Sequence, residues 1–216
     1  MKIGIIGAGF VGRAIGKLAV GAGHQVMLSN SRGPQTLFSL RYAVGCEVGT
    51  VEEAAAFGDV VVVAIPLSAI GTLPVAALAG KVVIDTDNYY WERDGRIAEL
   101  DRQETTTSEL LARYLPTSRI VKAFNAIPMN DLESGGRPAG APDRRALPIA
   151  GDDAEGKAIA GARLKAFGFD VVDVGPLAEG WRFERDRPAY CVPLDRAALE
   201  KTLAGTTRDD WRSNAA

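Results

Sequence analysis

Three glycines near the amino terminus are placed for phosphate chemistry. The run Lys2-Ile3-Gly4-Ile5-Ile6 is apolar and strand-like. It leads through Gly7-Ala8-Gly9-Phe10-Val11-Gly12 directly into a helical stretch over 13–19. A dinucleotide site needs that order. Gly7 permits the tight turn, Gly9 lets backbone approach a pyrophosphate, and Gly12 lets the helix lie close on the strand. The phosphates then face a helix N-terminus, where free N–H groups and the helix dipole favour negative charge. The alternative is a strand–helix turn whose glycines serve packing only.

A second group of polar residues follows the next strand, expected over 24–28. It reads Ser29-Asn30-Ser31-Arg32, and no acidic residue precedes Glu47. A site for NAD usually carries a carboxylate here to accept from the ribose 2′-hydroxyl. A carboxylate would repel a 2′-phosphate, whereas Asn30, Ser31 and the Arg32 guanidinium can bind one, Arg32 through two parallel bonds. This favours NADP(H). Ser31 also suits the N-cap of a helix over 33–42, with Arg32 merely solvated.

Positioning these residues takes an α/β architecture. Thr50-Val51-Glu52-Glu53 has the capping-box spacing and opens a helix to about residue 57. Val60-Val61-Val62-Val63 lies in an uninterrupted apolar strand, as expected where both faces are covered, and Pro66 ends it. A helix over 67–78 is interrupted near Gly71 and Pro74. Strands over 81–85 and 119–124 follow, the second preceded by a helix over 109–115. The stretch 128–143 is rich in Gly, Pro and charge and reads as a loop. A strand over 145–150, a helix over 152–167, a strand over 169–174, a helix over 194–203 and a polar tail through Trp211 complete the chain. Alternation of this kind predicts a doubly wound parallel sheet. It predicts one domain over 1–216, with a dinucleotide-binding core over about 1–125 and a small C-terminal α/β extension over about 145–205.

Composition narrows the function. The 216 residues carry a formal net charge of −2 and are 47% hydrophobic, which gives no basic field for nucleic acid or a membrane surface. One histidine, His24, and two distant cysteines, Cys46 and Cys191, do not have metal-ligand or disulfide-framework spacing. Metal is therefore not expected. No apolar run is long enough to span a bilayer, and Met1 abuts the first strand, so a cytoplasmic location is expected.

In an open α/β sheet the ligand lies beyond the carboxyl ends of the strands. Ala64-Ile65-Pro66, Asp87-Asn88-Tyr89-Tyr90-Trp91 and Asn125-Ala126-Ile127-Pro128 all fall at such ends. A turn carrying Trp181 and Arg182 follows the last strand and either caps the pocket or returns the chain to the domain. Ile65, Pro66, Asn125, Ile127 and Trp181 are expected to converge on one apolar pocket. Lys122 is the nearest candidate for a charged anchor.

The Gly7–Gly12 fingerprint, Ser29-Asn30-Ser31-Arg32, Val63-Ala64-Ile65-Pro66, Val121-Lys122-Ala123-Phe124-Asn125, Ile149-Ala150-Gly151-Asp152-Asp153 and Asp173-Val174-Gly175-Pro176-Leu177 together resemble the coenzyme F420-dependent NADP oxidoreductase family, its short bacterial members in particular. The resemblance runs from Met1 to about Tyr190. It implies a Rossmann-like domain passing hydride between NADP(H) and F420 or a flavin as second substrate. It implies NADP contacts from Gly7, Gly9, Phe10, Val11, Gly12, Ser31, Arg32, Ile65 and Pro66. Asn30, Ala64 and Ala126 extend that set at the same strand ends. Asn125 and Ile127 would border the transfer pocket. Asn125, which stands where archaeal members carry histidine, would orient ring polar atoms or the carboxamide and transfer no proton. The expected partner is a small-molecule hydride acceptor, with a homodimer allowed. Two alternatives are a dehydrogenase of a small carbonyl or imine and a non-catalytic NADPH-binding module.

Overall fold

The computed structural model describes residues 1–210, so Trp211 at the end of the expected tail lies outside the described residues. The chain begins β1 (Lys2–Ile6), α1 (Phe10–Gly21), β2 (Gln25–Ser29), a 3-10 turn Pro34–Leu37, α2 (Phe38–Val44), β3 (Glu47–Gly49), α3 (Val51–Phe57) and β4 (Val60–Val63). A 3-10 segment Leu67–Thr72, α4 (Val75–Leu78), β5 (Val82–Asp85), α5 (Trp91–Asp94), α6 (Ala98–Asp101), α7 (Thr107–Tyr114) and β6 (Arg119–Lys122) follow. Then come α8 (Met129–Ser134), β7 (Ala146–Gly151), α9 (Ala154–Ala166), β8 (Asp170–Asp173), a 3-10 segment Leu177–Phe183 and α10 (Arg196–Gly205).

Eight strands form one sheet in the order β3-β2-β1-β4-β5-β6-β7-β8. Pairing is parallel from β3 through β6, which gives the expected doubly wound α/β class. The strand order reverses between β1 and β4, and a crevice opens at such a point. Ile6 is level with Ser29 and Val63, Val63 with Asp85, and Asp85 with Lys122. Gly7, Asn30, Ala64, Thr86 and Ala123 therefore leave the sheet in one row.

Local chemistry explains the elements. All four valines of β4 are buried, alternately feeding a cluster with Ile3, Ile5 and Ile15 on one face and one with Ile6, Val83 and Leu111 on the other. The capping box at Thr50 and Glu53 is formed in both directions, as the spacing predicts. A second box, Thr106 with Glu109, starts α7 two residues before the expected 109.

Three sequence expectations change. The sheet is not parallel throughout: β7 runs antiparallel to β6, and β8 is parallel to β7. The stretch 128–143 contains α8, whose Leu132 is fully buried in the cluster shared with α1; six residues are too few to show a periodicity. The helix expected over 33–42 is a 3-10 turn, with Pro34 in its first turn, continuing into α2. Ser31 therefore caps no helix.

Candidate active site

The glycine turn is shaped by three different needs. Gly7 has φ +115°, and a Cβ there would overlap the Ala64 carbonyl. A Cβ on Gly12 would overlap the Gly7 carbonyl, so α1 lies on the turn only because Gly12 has no side chain. Gly9 is different: a Cβ there meets no atom within 4 Å. Its bare backbone faces open space at the N-terminus of a twelve-residue helix with no acidic residue in its first turn. The first-turn N–H groups of α1 lack intrahelical partners. This cradle fits a pyrophosphate. Phe10, exposed at its rim, has the Arg13 guanidinium over its ring at 4.8 Å, and Val11 is half-buried beside it.

At the neighbouring strand end, the buried Ser29 Oγ donates to the Ile5 carbonyl at 3.0 Å and fixes where β2 stops. Asn30 then faces inward, accepting from the Arg32 N–H at 3.0 Å and donating to Thr36 Oγ1 at 3.0 Å. Ser31 and Arg32 are exposed. An open cavity of about 410 Å³ is lined here by Asn30, Ser31, Gly33, Thr50, Thr72 and Glu52.

The other end of the crevice is built by the ends of β4, β5 and β6. The Ala64 N–H donates to the Ile6 carbonyl at 2.8 Å, which leaves Ile65 half-buried and Pro66 exposed. Phe124 has φ +63°, a left-handed backbone rare outside glycine, and this turn aims Asn125 back over the strand ends. Asn125 is only 4% exposed. Its Nδ2 donates to Asn88 Oδ1 at 3.1 Å and to the Phe183 carbonyl at 3.0 Å. Its Oδ1 is buried with no hydrogen-bond partner among the described residues. An orphaned acceptor at this position fits the amide N–H of a nicotinamide carboxamide.

Lys122 is not an anchor pointing into the crevice. It is fully buried, and Nζ donates to the Asp87 carbonyl at 2.9 Å, Thr107 Oγ1 at 2.7 Å and Ser108 Oγ at 3.3 Å. Glu184 Oε1 lies 3.5 Å away and Asp85 Oδ2 4.0 Å. Burial raises the Asp85 carboxyl against the pull of Lys122. Burial raises Asp87 well above the carboxylate range, and the charge of Asp85 adds to it. The Ile65 backbone N–H reaches the Asp87 carboxyl, yet Oδ2 of Asp87 is left without a partner.

The expected single apolar pocket is not formed. Ile127 is buried in the cluster around Ile5 and Phe124, while Ile65 lies against the cluster on the other face of the sheet. Ala126 is buried near β7. Trp181 instead faces a cavity of about 350 Å³ shared with Tyr89, Trp91, Arg96, Glu184 and Arg185. Guanidinium groups of Arg182, Arg187 and Arg208 lie 4.6–5.2 Å from the Trp181 ring centre. Glu184 joins this cavity to Lys122, and Tyr89 adjoins Asn88, so the cavity borders the strand ends that carry Asn125.

Sequence reasoning missed the cluster around Lys122. Its one local signal is a lysine inside the apolar run Ile120-Val121-Lys122-Ala123-Phe124, where a buried cation demands partners. Among the described residues no group of His, Cys, Asp and Glu is placed to hold a metal, and no helix is long and apolar enough to cross a membrane.

Residues 2–89 match the family model described as NADP oxidoreductase coenzyme F420-dependent. The chain is 31% identical over 198 residues to the metalloreductase STEAP3 of Rattus norvegicus, a match covering 89% of this chain and 38% of that protein's length. A solved hypothetical protein from Sinorhizobium meliloti is 25% identical with a TM-score of 0.78, over 91% of this chain and 95% of the other. A protein of Arthrobacter sp. FB24, provisionally designated an F420-dependent NADP-reductase, is 25% identical with a TM-score of 0.69, over 82% and 85% of the two chains.

Proposed function

We propose that this chain, which carries the NADP-dependent oxidoreductase domain of the F420 oxidoreductase family, passes hydride between NADPH and a flat heterocycle of the flavin or deazaflavin (F420) type. The observation that carries the choice of acceptor is the cavity walled by Tyr89, Trp91 and Trp181 beside the Asn125–Asn88 pair. Aromatic walls with guanidinium groups lying over the Trp181 and Trp91 rings suit a ring system bearing anionic substituents.

Bound NADPH would supply the hydride; the chain supplies position. Gly7, Gly9 and Gly12 shape the pyrophosphate cradle, and the N-terminus of α1 meets its charge. Ser31 and Arg32 meet the 2′-phosphate. Ala64, Ile65 and Pro66 form a wall, and Asn125 Oδ1 accepts from the carboxamide. Holding two rings in contact at a fixed angle, away from water, accounts for most of what hydride transfer requires. No nucleophile or titrating base is called upon. The acceptor is proposed as a free small molecule met in the cytoplasm, with neither nucleic acid nor membrane taking part; a homodimer is compatible with this.

NADPH oxidation measured against F420, FMN, FAD and ferric chelates tests the reading. The chelates are included because the chain spans 38% of a metalloreductase. Turnover with a flavin-type acceptor, lost in Trp181→Ala, is the expected result. Stoichiometric NADPH binding without oxidation by any of them would identify a binding module instead, and turnover of a small carbonyl or imine would identify a dehydrogenase.

A further inference from the structure

We propose that Gln35 and Thr36, with Asn30, are positioning residues for NADPH selectivity, holding the turn over 30–33 in the shape that presents Ser31 and Arg32 to a 2′-phosphate. This rests on the reading of Arg32 above and assigns the groups that make it work. The Arg32 backbone is pinned at both ends. Its N–H donates to Asn30 Oδ1 at 3.0 Å, and its carbonyl accepts from Gln35 Nε2 at 2.7 Å. Thr36 ties the next residue: its hydroxyl donates to the Gly33 carbonyl at 2.8 Å, and its N–H donates to the same oxygen at 3.1 Å. The Thr36 hydroxyl also accepts from Asn30 Nδ2 at 3.0 Å, which closes the ring of contacts.

Gly33 makes room for this. It has φ +87°, and a Cβ there would lie 2.6 Å from Gln35 Oε1 and 2.9 Å from Nε2, so the Gln35 amide rests where a side chain would be. Against these committed groups, the Ser31 hydroxyl and the Arg32 guanidinium enter no hydrogen bond or ion pair with any described residue, and both side chains are exposed. Two free anion-binding groups therefore stand on a turn whose backbone is fixed before any ligand arrives. A turn fixed in advance loses less freedom on binding, and the gain goes only to a ligand that touches it. NADPH does so through its 2′-phosphate; NADH has none.

Gln35→Ala, Thr36→Val, Thr36→Ser and Arg32→Ala are titrated with NADPH and with NADH in the full chain, with thermal melts confirming folding. Gln35→Ala, which removes one hydrogen bond, should weaken NADPH about fivefold, and Thr36→Val, which removes two, at least as much, while NADH changes less than about twofold in either. Thr36→Ser keeps the hydroxyl and should restore the native ratio of affinities. If Arg32→Ala leaves that ratio unchanged, the cofactor reading falls, and the proposal with it. If Arg32→Ala collapses the ratio while Gln35→Ala and Thr36→Val preserve it, the positioning role alone falls. Equal loss of both cofactors in Gln35→Ala shows a merely structural residue and overturns the proposal as well.

Discussion

Asn125 and Asn88 hold each other. Asn125 Nδ2 donates to Asn88 Oδ1 at 3.1 Å, and Asn88 Nδ2 donates to the Asn125 carbonyl at 3.0 Å. The carboxyl ends of β5 and β6 are thereby tied side chain to backbone, and Asn125 Oδ1 is left buried without a partner, the acceptor that the proposed function gives to the carboxamide. Asn125→Ala should lower the hydride-transfer rate with a nearly flat pH dependence, because an amide does not titrate in the working range. It also leaves buried acceptors on Asn88 and Phe183 unpaired, at about 1–3 kcal/mol each. Single-turnover rates across pH, with a melt of the same variant, separate the two effects. A rate that instead followed a titration curve would mean that Asn125 assists a proton donor.

Arg32 is exposed and has no side-chain partner among the described residues, so its loss should not unfold the chain. Arg32→Ala should cost NADPH about 2 kcal/mol, roughly 30-fold in Kd, through the missing charge-assisted contact. NADH should bind as before. A binding titration with the two cofactors reads this directly.

The three glycines of the turn should respond unlike one another. Gly9→Val places its side chain in empty space and should fold, yet fail to bind either dinucleotide, since that space is the one proposed for the pyrophosphate. Gly12→Val would drive a side chain into the Gly7 carbonyl and should disrupt the packing of α1 on β1. Calorimetric titration and circular dichroism distinguish a folded non-binder from a destabilised chain. A folded Gly9→Val protein with native NADPH affinity would leave the turn a packing device only.

Asp87 should make stability depend on pH. Its carboxyl is raised by burial and by the neighbouring charge of Asp85, so the folded state holds a proton that the unfolded chain has released. The contribution is full below the ordinary carboxylate range and is lost as pH climbs through the raised value. Asp87→Asn removes the titration. Its melting temperature relative to the native chain should therefore increase from about pH 4 towards about pH 8. A constant difference across that range would mean that the cluster accommodates the charge at no cost.

What could be read from sequence was local. Gly7, Gly9 and Gly12, the box at Thr50 and Glu53, and the acid-free end of β2 each act within a few residues, so their spacing alone declares them. Lys122 is different. Its partners come from Asp87, Thr107, Ser108 and Glu184, which no spacing connects. The expected convergence of Ile65, Ile127 and Trp181 failed for a related reason. A place at a strand's end does not declare which face of the sheet the next side chain takes, and Ile65 packs against one face while Ile127 is buried in the other. β8, parallel to the reversed β7, also ends at the edge opposite to that of β4 and β6. The 3-10 segment Leu177–Phe183 reaches the Asn125 edge by running back across the sheet, where Gly180 approaches the stem of Lys122.

That reversal has a mechanical consequence. β6 and β7 meet through two paired positions, Val121 with Gly151 and Lys122 with Ala150, whereas β4 and β5 share four. The join divides the sheet into a six-stranded slab and the β7–α9–β8 unit, and the fewest paired positions hold where the strand direction changes. Opening under load or thermal fluctuation should start along this line, and its amides should exchange with deuterium sooner than those between β4 and β5. Since Lys122 is one of the paired residues, each opening of the join disturbs the same lysine that steadies the carboxyl end of β5.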